Sequence, residues 1–134
     1  MVHSQKTGIK FYENLGKLFF SVAMVDGAVH IKELDKLKEL VKEDWLAIDA
    51  LEDQYNTDAA YQIISVFDWL LEYEKSSEHC FKVFVDFYKD NSSLFTENIK
   101  SLIMQTANEI ASCYAQKNKS ELVILAKLRL LFKD

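Results

Sequence analysis

The sequence contains no proline and only three glycines, Gly8, Gly16 and Gly27. Sandwiches and barrels need many tight turns, and glycine and proline are prominent among the residues that make them. Their scarcity therefore argues against a β fold and favours long helices joined by short connections. The chain has 134 residues, of which 49% are hydrophobic, enough for one buried core. We predict a single domain spanning residues 1–134.

The sequence also lacks any run of lysine or arginine. Its 16 basic residues are interleaved with 21 acidic ones, which gives a formal net charge of -5. Sequence-independent binding to nucleic acid depends on clustered cations that release counterions from phosphates. A polybasic anchor for a membrane surface needs a similar cluster. Nucleic-acid binding is therefore not expected.

Long apolar stretches are missing as well. The opening segment, residues 1–10, is polar and has no apolar core of a secretory signal, and the longest nearly apolar run, residues 18–25, is too short to span a bilayer. We expect no membrane insertion and a cytoplasmic location, with residues 1–8 flexible. Cys80 and Cys113 belong to no Cys-x-x-Cys pattern and have apolar neighbours, so we predict two reduced core thiols.

Motifs of the common sequence-visible enzymes are absent. The chain has no His-Glu-x-x-His helix, no glycine-rich phosphate loop, no Gly-x-Ser-x-Gly elbow and no Glu-x-x-His pair of a di-iron site. His79 falls on the polar edge of a predicted helix, which favours a solvent-facing histidine over a catalytic one. We therefore predict that the protein is not an enzyme.

Apolar residues recur at helical spacing along most of the chain. The pattern predicts an all-α fold, a single compact orthogonal bundle of about six helices. The predicted helices are residues 9–25, residues from 31 to an acidic and irregular stretch at 47–56, and residues 57–71, 76–89, 96–117 and 120–132. On the first helix, Lys10, Asn14, Lys17 and Ser21 form a polar stripe that we expect to face solvent.

The last predicted helix is apolar on nearly all sides. Its apolar positions exceed what one buried face needs; they are Leu122, Ile124, Leu125, Leu128, Leu131 and Phe132. This excess predicts either a homodimer through this helix or a helix sandwiched inside the fold.

The segment from Asp26 to Glu33 carries the most information about function. Its glycine, the apolar residue two positions later and the glutamate six positions later match the second half of an EF-hand loop. The first and third ligand positions of such a loop would fall on Val22 and Met24, which have no side-chain oxygen. A calcium EF-hand is therefore rejected.

Two interpretations of this corner remain open. In the structural one, Gly27 ends a helix in the left-handed conformation, Val29 packs into the core, and Glu33 lies at the positive end of the next helix. In the other, Asp26 and Glu33 bind a divalent cation, although two carboxylates alone do not fill a coordination shell.

The corner resembles the signature of the TerB-like domains, which are named for bacterial tellurite resistance. The resemblance lies in Leu18-Phe19-Phe20-Ser21-Val22-Ala23-Met24-Val25-Asp26-Gly27-Ala28-Val29 followed by Glu33-Leu34. In that family an apolar helix ends in Ala-x-x-Asp-Gly, an apolar residue follows, and a glutamate opens the next helix. The positions that match are Ala23, Asp26, Gly27, Val29 and Glu33.

The family carries a second helix-corner-helix in its later half, and this chain has a degenerate copy of it. Residues 110–115 lead through Gln116-Lys117-Asn118 into Glu121-Leu122, and Leu125 and Leu128 correspond to Leu37 and Leu40. The Asp-Gly pair is missing, and Lys117 and Asn118 stand in its place in a shorter corner. Glu121 is the third candidate metal ligand, with Asp26 and Glu33.

The resemblance implies a divergent TerB-like helical bundle of bacterial origin with a place in stress response or in membrane-associated complexes. From it we expect a non-enzymatic module that acts by protein interaction with an unidentified partner and binds a divalent cation at Asp26, Glu33 and Glu121. The alternative is a small-ligand or enzymatic pocket between helices, for which the aromatic content of 13% could supply a lining.

Overall fold

A computed structural model describes residues 5–46, 59–73, 75–113 and 118–133. Within these ranges the protein is an all-α bundle without strands, which confirms the predicted fold class. Its six α-helices are α1 (Gln5–Ala23), α2 (Ile31–Leu40), α3 (Gln62–Glu72), α4 (Ser77–Asp90), α5 (Glu97–Ser112) and α6 (Lys119–Phe132).

Helix α1 is the centre of the bundle, and α3, α4, α5 and α6 all pack against it. Its apolar side chains at Leu15, Leu18, Phe19, Phe20 and Val22 are completely buried. A helix that contacts four others has little surface left for solvent. Side chains on more than one face of α1 are therefore part of the core.

The predicted polar stripe of α1 was wrong at two of its four positions. Asn14 is 8% exposed and Ser21 is fully buried. The donor group of each side chain is hydrogen-bonded within α1. The Asn14 amide donates to the Lys10 carbonyl at 2.9 Å, and the Ser21 hydroxyl donates to the Leu18 carbonyl. Backbone carbonyls thus bind the donor groups of both side chains, whereas the buried Oδ1 of Asn14 has no hydrogen-bond partner among the described residues.

Gly16 permits the close crossing of α1 and α3. A Cβ atom at this position would lie 2.8 Å from the Ile63 carbonyl oxygen and 3.0 Å from the Cβ of Val66. Both distances are shorter than ordinary van der Waals contacts, and one involves rigid backbone. The absence of a side chain at Gly16 therefore sets how tightly these two helices pack.

Helix α2 continues into a π-helical turn at Val41–Trp45. This turn carries the completely buried Trp45, whose indole N–H donates to the Thr106 hydroxyl of α5 at 3.1 Å. The bond satisfies the one polar group of a large buried ring. It also ties the end of the α2 segment to α5.

Aromatic side chains fill the core between α4, α5 and the end of α6. Phe95 lies at the middle of this group, with ring centroids 4.9 Å from Tyr88, 5.3 Å from Phe11 and 5.9 Å from Phe84. Edge-to-face and tilted contacts of this kind are typical of close-packed cores. These rings pack against one another.

Helix α6 is not sandwiched inside the described fold. Ile124, Leu125 and Leu128 are buried, whereas Leu122 is 55%, Val123 46% and Leu130 64% exposed. The helix therefore has one buried face and an outer face that still carries apolar side chains.

Several predicted helix ends can be compared with the structure. α1 begins at Gln5, four residues earlier than predicted, and Ser76 and Thr96 cap α4 and α5 with their hydroxyl oxygens. The predicted start of the third helix at residues 57–58, the irregular stretch 47–56 and the predicted end of the fifth helix at 117 lie outside the described residues, as do residues 1–4. In the described part of the chain, no helix combines the length and apolar character needed to cross a membrane.

Candidate paired-corner site

The first corner joins α1 to α2 as a short, hydrogen-bonded turn. The Gly27 N–H donates to the Met24 carbonyl at 2.9 Å, and Gly27 has φ of +95°, the left-handed conformation predicted for it. The Ala28 N–H points to Oδ1 of Asp26 at 3.4 Å, and Val29 is half-buried against the core. Glycine meets no steric penalty in this conformation, so the chain reverses direction within a few residues.

Glu33 closes the first corner by capping the start of α2. Its Oε1 accepts the His30 N–H at 2.7 Å, and Nδ1 of His30 accepts the Lys32 N–H at 3.1 Å. This reciprocal arrangement is a capping box, which satisfies amides that have no partner inside the helix. Glu33 is only 6% exposed, so its carboxylate is held by the fold rather than by solvent.

The second corner uses the same device at the start of α6. Oε1 of Glu121 accepts the Asn118 N–H at 3.0 Å, and Oδ1 of Asn118 accepts the Glu121 N–H at 2.9 Å. Glu121 is also 6% exposed. The two corners therefore present one buried glutamate each, at the same position relative to their helices.

A hydrogen bond between side chains joins the two corners directly. Nδ2 of Asn118 donates to Oδ2 of Asp26 at 3.0 Å, across 92 residues of sequence. Asn118 thus uses its oxygen to cap α6 and its amide nitrogen to hold Asp26. Asp26 and Glu121 lie near enough for their charges to act on Glu33, and we call these three predicted candidates, together with Asn118, the paired corners.

The negative charges in the paired corners interact. Burial raises the pKa of Glu33 to about 7 against the lowering effect of the His30 N–H, and the charges of Glu121 and Asp26 raise it further. Cys113, at the end of α5, is half-buried beside them. Its pKa is raised first by burial and then by the charge of Glu33, with a smaller contribution from Glu121. The charges of Glu121 and Asp26 therefore oppose ionisation of the buried Glu33.

The paired corners do not form a ready-made coordination shell. Searching the described ranges finds no group of three or more His, Cys, Asp or Glu side chains arranged to hold a metal ion. One oxygen of each buried glutamate is already bonded to a backbone amide. A cation at these carboxylates would need most of its ligands from water or backbone carbonyls.

Asn118 has a different place from the one predicted for it. By sequence it stood, with Lys117, where the family has its Asp-Gly pair. In the structure it caps α6, so its counterpart in the first corner is His30. Lys117 lies outside the described residues. Sequence reasoning also missed both capping boxes, although Asn-x-x-Glu at 118–121 is a readable form of that signal.

Beside the paired corners, an open groove of about 590 Å³ separates the start of α4 from α6. Its lining residues are Val25, Ser76, Ser77, Glu78, Phe81, Lys119, Ser120, Val123, Ile124 and Lys127. A second, smaller groove of about 360 Å³ lies between α1 and α3 next to the half-exposed Trp69. Both grooves are open to solvent, and neither includes Asp26, Glu33 or Glu121.

Comparisons with known proteins add nothing to the geometry of the site. No family model, curated protein or solved structure matches this chain.

Proposed function

We propose that this protein is a non-enzymatic, TerB-like helical module that acts through contacts with other proteins in the bacterial cytoplasm during a stress response. A weak divalent-cation site at the paired corners is part of this proposal. One observation supports it above the others: the hydrogen bond between Asn118 and Asp26 joins two corners that are built alike. The TerB resemblance also calls for two related corners in one bundle.

The electrostatics of the paired corners support the cation site. Glu33 and Glu121 are buried, and the charges of Glu121 and Asp26 oppose ionisation of Glu33. A divalent cation near these carboxylates would relieve that repulsion and favour the ionised form. Binding should therefore strengthen as the pH rises through the pKa of Glu33, about 7.

Thermal unfolding with added cation tests this site. At pH 8, millimolar calcium, manganese or zinc should raise the melting temperature of the wild type, because a ligand that binds only the folded state stabilises it by about 1.4 kcal/mol at tenfold excess over its dissociation constant. The Glu33→Gln variant should lose this response, and Glu72→Gln, at an exposed position on α3, should keep it. If none of the cations moves the melting temperature or the resonances of Asp26 and Glu33, the cation site must be abandoned.

The alternative function, a small-ligand or enzymatic pocket between helices, would have to use the groove between α4 and α6. Its volume is in the range of small-molecule sites, and two lysines and three serines line it beside apolar residues. The groove is nevertheless open, and the aromatic residues that could have lined a pocket pack around Phe95 instead. Protein contact therefore remains the preferred proposal.

A further inference from the structure

The outer face of α6 combines exposed apolar side chains with positively charged ones that form no ion pair within the described part of the chain. Its exposed residues include Lys119, Leu122, Val123, Lys127, Arg129 and Leu130. The one acidic side chain in this helix, Glu121, is buried in its capping box. The ion pairs found among the described residues, Lys36 with Glu39 and Lys100 with Glu97, involve no side chain of α6.

The groove beside this face has the same combination of apolar and basic side chains. Lys119 and Lys127 lie along the α6 side of the groove, and Val25, Phe81 and Ile124 supply apolar surface between the helices. The opposite side, at the start of α4, carries Ser76, Ser77 and the single acid Glu78. The groove is thus apolar in part, with more positive than negative charge on its rim.

The position of α6 is firmly held, which suits a docking surface. The Lys100 ammonium donates to the Phe132 carbonyl at 3.2 Å, and the Phe132 ring lies 5.3 Å from that of Tyr88. At the other end, Asn118 connects the start of α6 to Asp26. Both ends are therefore fixed to the bundle, and a partner would meet a preformed face.

Charge distinguishes this face from the rest of the molecule. The whole protein has a formal charge of -5, whereas the exposed charged side chains of α6 are all basic. Two copies packed through this face would bring lysine and arginine side chains together, and like charges in an interface oppose association. An acidic partner would pair with the same cations, so the charge pattern favours a different protein over a second copy.

We propose that the α6 outer face and the adjoining groove bind an acidic amphipathic helix of a partner protein. This names the chemistry of the partner and rests on the proposed role as an interaction module. Apolar side chains of the partner would cover Val123 and Leu130 and enter the groove, while its acids would meet Lys119 and Lys127. Helix α6 is about 21 Å long, so a partner helix of about 14 residues would span it.

Fluorescence anisotropy with synthetic peptides tests the inference. The probe is a labelled helical peptide of about 16 residues, with leucine at helical spacing and glutamate elsewhere. Its controls are the same composition in scrambled order and a copy with lysine in place of glutamate. The acidic amphipathic peptide should bind at micromolar concentration, and added salt should weaken it. Binding of all three peptides alike, or of none, would overturn the proposal.

Charge-reversal variants locate the binding surface. Lys119→Glu with Lys127→Glu should weaken binding by roughly tenfold, and Val123→Glu should do the same by removing apolar contact. Lys38→Glu with Lys89→Glu is the matched control at exposed positions on α2 and α4, and should change affinity by less than about twofold. Equal losses from both double variants would show only a general charge effect and would contradict the assigned surface.

Two further arms separate other occupants of the same face. If vesicles rich in phosphatidylserine bind the wild type, the acidic peptide does not, and Lys119→Glu with Lys127→Glu abolishes vesicle binding, the surface serves a membrane instead. If light scattering shows a dimer that Val123→Glu dissociates, the occupant is a second copy. Both results would overturn the inference. All peptide measurements are made in chelator, and Glu33→Gln should bind peptide normally, so failure of the cation site leaves this test intact.

Discussion

The two corners of this protein start their helices with the same capping arrangement but differ in the sequence that precedes it. In each corner, a glutamate in the first turn of the helix accepts the N–H of the residue three positions before it. Glu33 accepts from His30, and Glu121 accepts from Asn118. Only the first corner uses an aspartate and a glycine in the left-handed conformation. The glutamate cap is therefore the part that the two corners share. Asn118 also connects them, because its amide donates to the aspartate of the first corner.

The largest predicted effect is the pH dependence of stability at Glu33, in the first corner. The folded protein holds a proton on Glu33 up to about pH 7, whereas the unfolded chain releases it near pH 4.5. Stability should therefore be greatest below the unfolded pKa and fall as the pH rises from 4.5 to 7. A shift of this size corresponds to about 3 kcal/mol.

Glu33→Gln measures this cost, because glutamine keeps an oxygen for the His30 N–H and carries no charge. At pH 8 in chelator, the variant should exceed the wild type in free energy of unfolding by up to about 3 kcal/mol, and the two should agree at pH 4. Urea unfolding at both pH values gives the difference. Glu72→Gln should show no such change. A variant equal to the wild type at pH 8 would mean that Glu33 pays no penalty for ionising.

The next largest effect separates the two capping residues. Asn118→Ala removes both the cap of α6 and the bond to Asp26, and should cost about 2 kcal/mol. His30→Ala removes a cap that histidine is not favoured to make, and should cost about half as much. Chemical denaturation of the two variants provides the comparison. A larger loss of stability in His30→Ala than in Asn118→Ala would contradict the role of Asn118 as the main connection between the corners.

The smallest effect tests the loop that only the first corner has. Gly27→Ala should cost about 1 kcal/mol, because an L side chain is strained at φ of +95° although no atom lies within 4 Å of the new Cβ. The loss should be purely conformational, so the pKa of Glu33 should stay unchanged in the variant. Thermal unfolding and a carboxyl titration check both parts. An unaltered melting temperature would show that the turn relaxes at no cost.

Local pattern was sufficient to predict the helices and the first corner. The spacing of apolar residues indicated the helices of the bundle, and the Asp26-Gly27 pair indicated a left-handed residue, which Gly27 adopts. Pattern failed at Asn14 and Ser21, because helical periodicity identifies polar residues but not how many helices surround them. Four helices pack on α1, and backbone carbonyls accept the hydrogen bonds that Asn14 and Ser21 donate inside it.

The paired corners could be predicted only in part. The candidate ligands Asp26, Glu33 and Glu121 came from the resemblance between two distant segments. That Asn118 joins them depends on how α1, α2 and α6 meet, which no local pattern contains. The raised pKa of Glu33 likewise depends on burial and on charges from the other corner. The effect of the Glu33 charge on the pKa of Cys113 had no sequence signal at all.

The two corners form one electrostatic unit if charges in the second corner raise the pKa of Glu33 in the first. A carboxyl titration of Glu33 by nuclear magnetic resonance measures this effect. In the wild type, in chelator, Glu33 should titrate with a pKa of about 7. In Glu121→Gln the pKa should fall, because one of the opposing charges is gone, and it should remain above 4.5 because burial persists. A pKa near 4.5 in the wild type, or the same value in both proteins, would contradict the account.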